Sequence, residues 1–339
     1  MKFSLFFFSD DGASTDRYKY RLLIEAARFA DSHGFTAIWT PERHFAPFGG
    51  LYPNPAVTSA ALAMVTQRIS LRGGSVIVPL HHTLRVAEEW SVVDNLSGGR
   101  VGVSLGRGWN ANDFVLAPYN FEPAREVMYE ALDTLRRLWR GESLSLPNGK
   151  GYEFKAAIYP RPVQHELPIW LTAESELTFV RAGQLGTNLL THLVLRTVED
   201  LQRCIRLYHR SLVDAGHDPS CKEVTLMMHT YLDPDSTRAR AQIEKAYGKY
   251  VENYLQFLSA GERKVIAGQD EEFVKQRAIA RLFESHGIVG APVDCVERIL
   301  RAEAAGITEI ACLIDFGIEA DAVLAALQYL VDLRNLVNS

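Results

Sequence analysis

The sequence predicts an α/β fold, a (β/α)8 TIM barrel whose insertions form a lid at the C-terminal face of the strands. Three observations carry this expectation. Eight apolar runs alternate with helical stretches, and no run of strands stands alone. No Gly-x-Gly-x-x-Gly fingerprint follows the first strand, which disfavours an open dinucleotide-binding sheet. Every group of chemistry-bearing residues falls just after a strand, where such barrels place their sites.

The elements follow in order. The run Phe3 to Phe8 meets Asp10-Asp11 after about six residues, too short for a signal or spanning segment, and reads as a buried first strand. Thr15 to His33 carries apolar residues at helical spacing and stops at Gly34. A strand at Thr36 to Thr40 precedes a long loop and a helix from about Ala56 to Gln67. The organising unit spans Ile69 to Phe114: a strand to Val78, a loop with Pro79, His81 and His82, a helix from about Arg85 to Leu96, a Gly98-Gly99 stop, and a strand at Val101 to Leu105. A βαβ unit of this kind is parallel and crosses over right-handed.

A helix from about Pro123 to Trp139 comes next, then a Gly/Pro/polar excursion, Gly141 to Pro168, expected as surface hairpin or loop. Strands at Ile169–Thr172, Asn188–His192 and Val224–Leu232 are separated by helices near Ser175–Leu185 and Val198–Ala215. Ile307–Ile314 and Ala320–Leu336 read as the last strand and closing helix. Tyr247 to Gly290 is too long for a plain connection. The expected organisation is one domain over residues 1–339, with 245–290 as lid or insertion.

Composition narrows the partners. At 47% hydrophobic and 23% charged residues the chain is ordinary for a globular protein. A net charge of −5 and the absence of any Lys/Arg run argue against nucleic acid. Cys204, Cys221, Cys295 and Cys312 show no metal or disulfide spacing and read as reduced thiols of a cytoplasmic protein. Neither a membrane nor a metal is expected.

Four constellations stand out. Arg107, between Gly106 and Gly108, sits where a strand ends; a guanidinium there can grip a phosphate or simply brace a tight turn. Thr172 to Thr178 passes from strand end to helix start with Ser175 as N-cap, a second phosphate cradle, although every helix begins with free amides. The paired glycines of Gly73-Gly74-Ser75-Val76 imply a bulge or a close ligand approach. His44, after Glu42 and Arg43, suits proton transfer near neutral pH. His82 and Asp113 are further polar candidates, either of which can also cap or brace a loop, and Trp109 and His192 are candidate pocket walls.

The run Asp94-Asn95-Leu96-Ser97-Gly98-Gly99-Arg100 followed by Gly106-Arg107-Gly108 resembles the bacterial luciferase-like family of flavin-dependent monooxygenases. With Trp39-Thr40-Pro41-Glu42-Arg43-His44-Phe45 and Leu51-Tyr52-Pro53-Asn54-Pro55, the chain most resembles the branch found in polyketide and nonribosomal peptide pathways. The resemblance implies FMN, bound as FMNH2, with its phosphate on Arg107, Glu174, Ser175 and Thr178. It also implies a non-prolyl cis peptide between Gly74 and Ser75 under the flavin ring, and catalytic roles for His44, His82 and Asp113. Where bacterial luciferase has a cysteine near the reactive flavin carbon, this chain has Gly106, so light emission is not implied.

The implied reaction is a two-component monooxygenation. A partner flavin reductase supplies FMNH2, O2 adds at flavin carbon 4a as a hydroperoxide, and one oxygen passes to a small-molecule or carrier-protein-bound substrate. A homodimer is implied as well. Two rivals keep the fold: a deazaflavin-dependent hydride-transfer dehydrogenase and a flavin-binding protein without turnover.

Overall fold

In the computed structural model, which describes residues 1–8, 17–194, 196–257 and 270–339, eight parallel strands close on themselves. These are β1 (Lys2–Phe6), β2 (Ala37–Thr40), β3 (Ser70–Ile77), β4 (Val101–Gly106), then β7 (Ile169–Thr172), β8 (Asn188–His192), β9 (Val224–Leu232) and β11 (Glu309–Leu313). Closure runs through Leu189↔Val224 on one side of β9 and Glu309↔Thr225 on the other. The expected surface excursion holds an antiparallel hairpin, β5 (Leu144–Pro147) with β6 (Glu153–Ala156).

One strand is not anticipated by the sequence. β10 (Gly287–Gly290) pairs His229–Leu232 of β9, beyond Met227, where the β8 pairing stops. The end of the stretch expected as lid therefore belongs to the barrel wall.

The helices are α1 (Arg21–Ser32), α2 (Pro55–Ala63), α3 (Thr83–Ser97), α4 (Ala124–Trp139), α5 (Glu176–Gln184), α6 (Val198–Asp214), α7 (Ser236–Phe257), α8 (Glu271–Arg281), α9 (Pro292–Ala304) and α10 (Ala320–Asn338). Their boundaries follow local chemistry. Asn54 accepts from the Ala56 and Val57 amides to start α2, Gly98 at φ 68° ends α3, and Thr197 with Asp200 forms a capping box on α6. The expected helix to Gln67 ends at Ala63. Of the one expected from Thr15, the described residues hold Arg21–Ser32, and Thr15 itself lies outside them. α9 occupies a stretch for which the sequence reading named no element.

Alternation along each strand sorts the side chains. Phe3, Leu5, Leu71, Val103, Leu171 and Leu226 face the helices, while Trp39, Trp170, Leu190, Ala311 and Leu313 fill the lumen. The lumen floor is polar. Glu309, with no exposed surface, accepts from Ser4 Oγ (2.6 Å), Trp39 Nε1 (3.1 Å) and Arg72 Nη1 (2.9 Å). The Arg72 guanidinium is held between the Trp39 and Trp170 rings, 4.9 and 4.3 Å from their centroids. Such a buried pair is tolerated because both ions keep hydrogen bonds after losing water.

Candidate active site

At the carboxyl ends of β3, β4 and β7 the lumen is lined by small polar residues. The Gly74–Ser75 peptide is cis, as expected, and the β3–β4 register shifts between Gly74 and Val76. A Cβ on Gly74 would lie 2.8 Å from Trp39 Cε3 and 3.0 Å from Phe6 Cε2, so only glycine lets the backbone rest on those rings. Ser75 Oγ hydrogen-bonds Thr172 Oγ1, which also meets Ser104 Oγ at 2.8 Å. Gly106 stands beside them; its absent Cβ would lie 3.2 Å from Ser75 Cβ. The result is a shallow wall of backbone and hydroxyls without bulky side chains.

The same edge carries the cation and the helix start. β4 and β7 are neighbours, with Leu105 opposite Leu171, so Arg107 and the Ala173–Ser175 turn leave the barrel side by side. Arg107 is exposed and donates to the Gly108 carbonyl at 3.1 Å. Ser175 caps α5, its Oγ accepting from the Thr178 amide (3.3 Å) and meeting Thr178 Oγ1 (2.9 Å). Thr178 thus serves the cap, and the amides of the turn before it are the ones helix geometry leaves for an anion. Of the two nearby carboxylates, Glu176 pairs with Arg203 at 2.6 Å. Glu174 instead meets His192 Nε2 at 3.2 Å, and its carboxyl is held below the ordinary range by that hydrogen bond, against its burial, with help from His192 and Arg107 charge.

A second cluster forms behind β2 and β3. Glu42 is buried, and its Oε1 receives both His44 Nε2 (2.9 Å) and His81 Nε2 (2.5 Å), while Oε2 accepts from the Ile77 amide (2.7 Å). Burial opposes the Glu42 charge, but the two histidines and the amide hold its pKa below the usual value. Burial likewise opposes protonation of His81, and Glu42 outweighs it, raising the pKa.

The histidine on the carboxylate is His81; His82, expected among the catalytic residues, is exposed and caps α3 by accepting from Leu84 N (3.3 Å). Asp113 has no exposed surface, receives Asn110 Nδ2 (3.0 Å) and faces Arg43 Nη1 (3.5 Å). Burial raises its pKa, Arg43 and His44 pulling the other way. Arg43 in turn lies over the Trp109 ring at 4.6 Å.

The sequence reading passed over His229. It lies at the lumen end of β9, 8% exposed, with the rings of Tyr247, Tyr250 and Phe316 edge-on at 4.9, 5.0 and 5.4 Å. Its Nε2 has no hydrogen-bond partner among the described residues. Tyr250 continues to Phe48 (5.0 Å), and Tyr254 to Trp109 (6.3 Å), so α7 roofs the barrel with aromatics. Strand alternation puts residue 229 on the lumen side with Met227 and Tyr231, and that was the available signal.

Burial lowers the His229 pKa to about 3. The folded value lies below the unfolded one, so its contribution to stability is complete above about pH 6.5 and is lost as pH falls from there toward 3. At pH 5 the loss is roughly 2 kcal/mol. Urea unfolding at pH 7.5 and pH 5 is expected to show a loss about 2 kcal/mol larger in the wild type than in His229→Phe; equal losses in both would contradict it.

The chain is similar to known proteins over nearly all of its length. A family model described as luciferase-like monooxygenase matches residues 1–309. The chain is 27% identical to the flavin-dependent trigonelline monooxygenase, oxygenase component, of Acinetobacter baylyi, covering 98% of this chain and 94% of the relative. Among solved structures, monooxygenase RslO1 from Streptomyces bottropensis superposes with a TM-score of 0.84 at 22% identity over 100% of both chains. The oxygenating constituent of 3,6-diketocamphane monooxygenase from Pseudomonas putida, a type II Baeyer-Villiger enzyme in complex with FMN, gives 0.79 at 18% identity, covering 98% and 96%.

Proposed function

The chain belongs to the luciferase-like monooxygenase family, and from that premise we propose that it is the oxygenase component of a two-component flavin-dependent monooxygenase. FMNH2 comes from a reductase, and one atom of O2 enters an organic substrate. The observation that carries this reading is that Arg107 and the Ser175 helix start follow the neighbouring strands β4 and β7, next to a wall in which Gly74 and Gly106 carry no Cβ. A guanidinium and helix amides both suit a phosphate, and a planar ring suits a wall without bulky side chains.

Reduced FMN, when bound, supplies the activation of O2. The protein supplies the surroundings. Arg107 and the amides around Ser175 hold the phosphate, and the hydroxyls of Ser75, Ser104 and Thr172 offer hydrogen bonds along the wall. His44 moves a proton as oxygen passes to the substrate, and the α7 aromatics, within the 245–290 lid, keep water out. Resemblance to the biosynthetic branch supports a pathway intermediate, free or carrier-bound, as substrate. The reading includes a cytoplasmic homodimer.

Arg107→Ala is expected to weaken FMN binding roughly 10- to 100-fold, the equivalent of about 1.5–3 kcal/mol for a charge-assisted contact. A flavin-fluorescence titration measures it. Wild-type affinity in the variant would remove the phosphate site and the reading with it. Oxygen uptake above that of free photoreduced FMN, with label from O2 in the product, tests the reaction itself.

A further inference from the structure

We propose that Glu42 is a shared proton shuttle joining His44 to His81, so that His44 exchanges protons with water through His81. The inference rests on the reading of His44 as the group that moves a proton during oxygen transfer. It goes beyond that reading by giving His81 and Glu42 a route rather than a packing role.

The geometry is specific. Both histidines come to the same oxygen, Oε1, at 2.9 and 2.5 Å, although one follows β2 and the other follows β3. The Ile77 amide on Oε2 keeps the carboxylate from rotating Oε1 out of line. Along the path the side-chain exposure is 10% at His44, 1% at Glu42 and 29% at His81. The carboxylate is sealed, and His81 is the member most open to solvent. The other charged groups around the cluster are Arg43 and Asp113 beside Glu42 and His44, and Glu89 of α3 acting on His81. None of them bridges the two histidines.

The transfer balances without a further reactant. A proton taken up on the second ring nitrogen of His44 displaces the one on Nε2, which moves to Glu42 Oε1. His81, which at rest donates to Oε1 from Nε2, exchanges through water to the tautomer with its proton on Nδ1; its freed Nε2 then takes the proton from Oε1, the Nδ1 proton leaves to water, and the resting tautomer is restored. The reverse sequence returns a proton to His44. No electron moves and no bond to carbon changes.

The test uses the full chain carrying photoreduced FMN, mixed with O2, and follows the return of oxidised-flavin absorbance against pH. His81→Gln is expected to keep FMN affinity within about twofold, to slow the pH-dependent phase roughly 10- to 100-fold, and to regain rate with added imidazole. Glu42→Gln is expected to slow it similarly without rescue. NMR of the FMN-free protein gives a readout independent of turnover: the His81 ring signals shift in both His44→Ala and Glu42→Gln, because each change alters the one oxygen the two rings share.

An unchanged pH profile in His81→Gln, or His81 ring signals unmoved by His44→Ala, overturns the shuttle. So does purification with one bound zinc on Glu42, His44 and His81, whose ligand atoms lie within 4.8 Å of one another. If His44→Ala retains full product formation while its His81 ring signals shift, the role of His44 in turnover is what fails, not its link to His81.

Discussion

Replacing His44 with alanine is expected to lower product formation at least about 100-fold while FMN binds within about twofold of wild type. The split follows from placement. His44 belongs to the Glu42 cluster, whereas Arg107 and the Ser175 turn stand at the ends of β4 and β7. A general acid or base contributes through proton transfer in the transition state, so its loss falls on turnover rather than on cofactor affinity. The measurement pairs labelled O2 incorporation, read by mass spectrometry, with an FMN titration. A variant that forms product at the wild-type rate would exclude His44 from the chemistry. A wild type that binds FMN yet consumes no oxygen would favour the flavin-binding rival, and hydride transfer to a deazaflavin would favour the dehydrogenase.

Glu309→Ala is expected to destabilise the barrel by about 3–5 kcal/mol, because it leaves the Arg72 guanidinium buried without its main counter-charge. Glu223, 3.4 Å from Arg72 Nη2, compensates only in part. Ser4 Oγ loses its acceptor at the same time, and Trp39 Nε1 is left with Ser4 Oγ at 3.1 Å. Urea unfolding measures the change. If the alanine variant does not fold, Glu309→Gln, which keeps an acceptor, is expected to lose about 1–3 kcal/mol. The double variant Glu309→Leu with Arg72→Met is expected to recover much of the loss, since removing both ions leaves no orphan charge. A change below about 1 kcal/mol in Glu309→Ala would show that the floor network contributes little.

The barrel was legible because its eight closing strands carry apolar runs bounded by turn residues, and the helices between them carry their own period. β10 was not: Gly287-Ile288-Val289-Gly290 is too short for alternation to show, and its glycines read as loop. The strand-end motifs at Arg107, Ser175 and Gly74 were visible as local patterns. The choice between His81 and His82 was not, because the 3-10 turn Val78–Leu80 breaks the strand period before them. The start of α3 held the missing clue, since a residue just before a helix turns its side chain to the free amides. Glu42 stood in a quoted motif without a role, for only the fold brings the β2 and β3 loops onto one carboxylate.

The short strand β10 also anchors the roof. The chain leaves β9 at Leu232, runs through α7 and α8, and returns to pair with His229–Leu232 of that same strand. Both feet of the excursion are therefore tethered to one rail of the barrel, which fixes where the roof begins and ends, while Tyr250 against Phe48 and Tyr254 against Trp109 join it to the loops across the mouth.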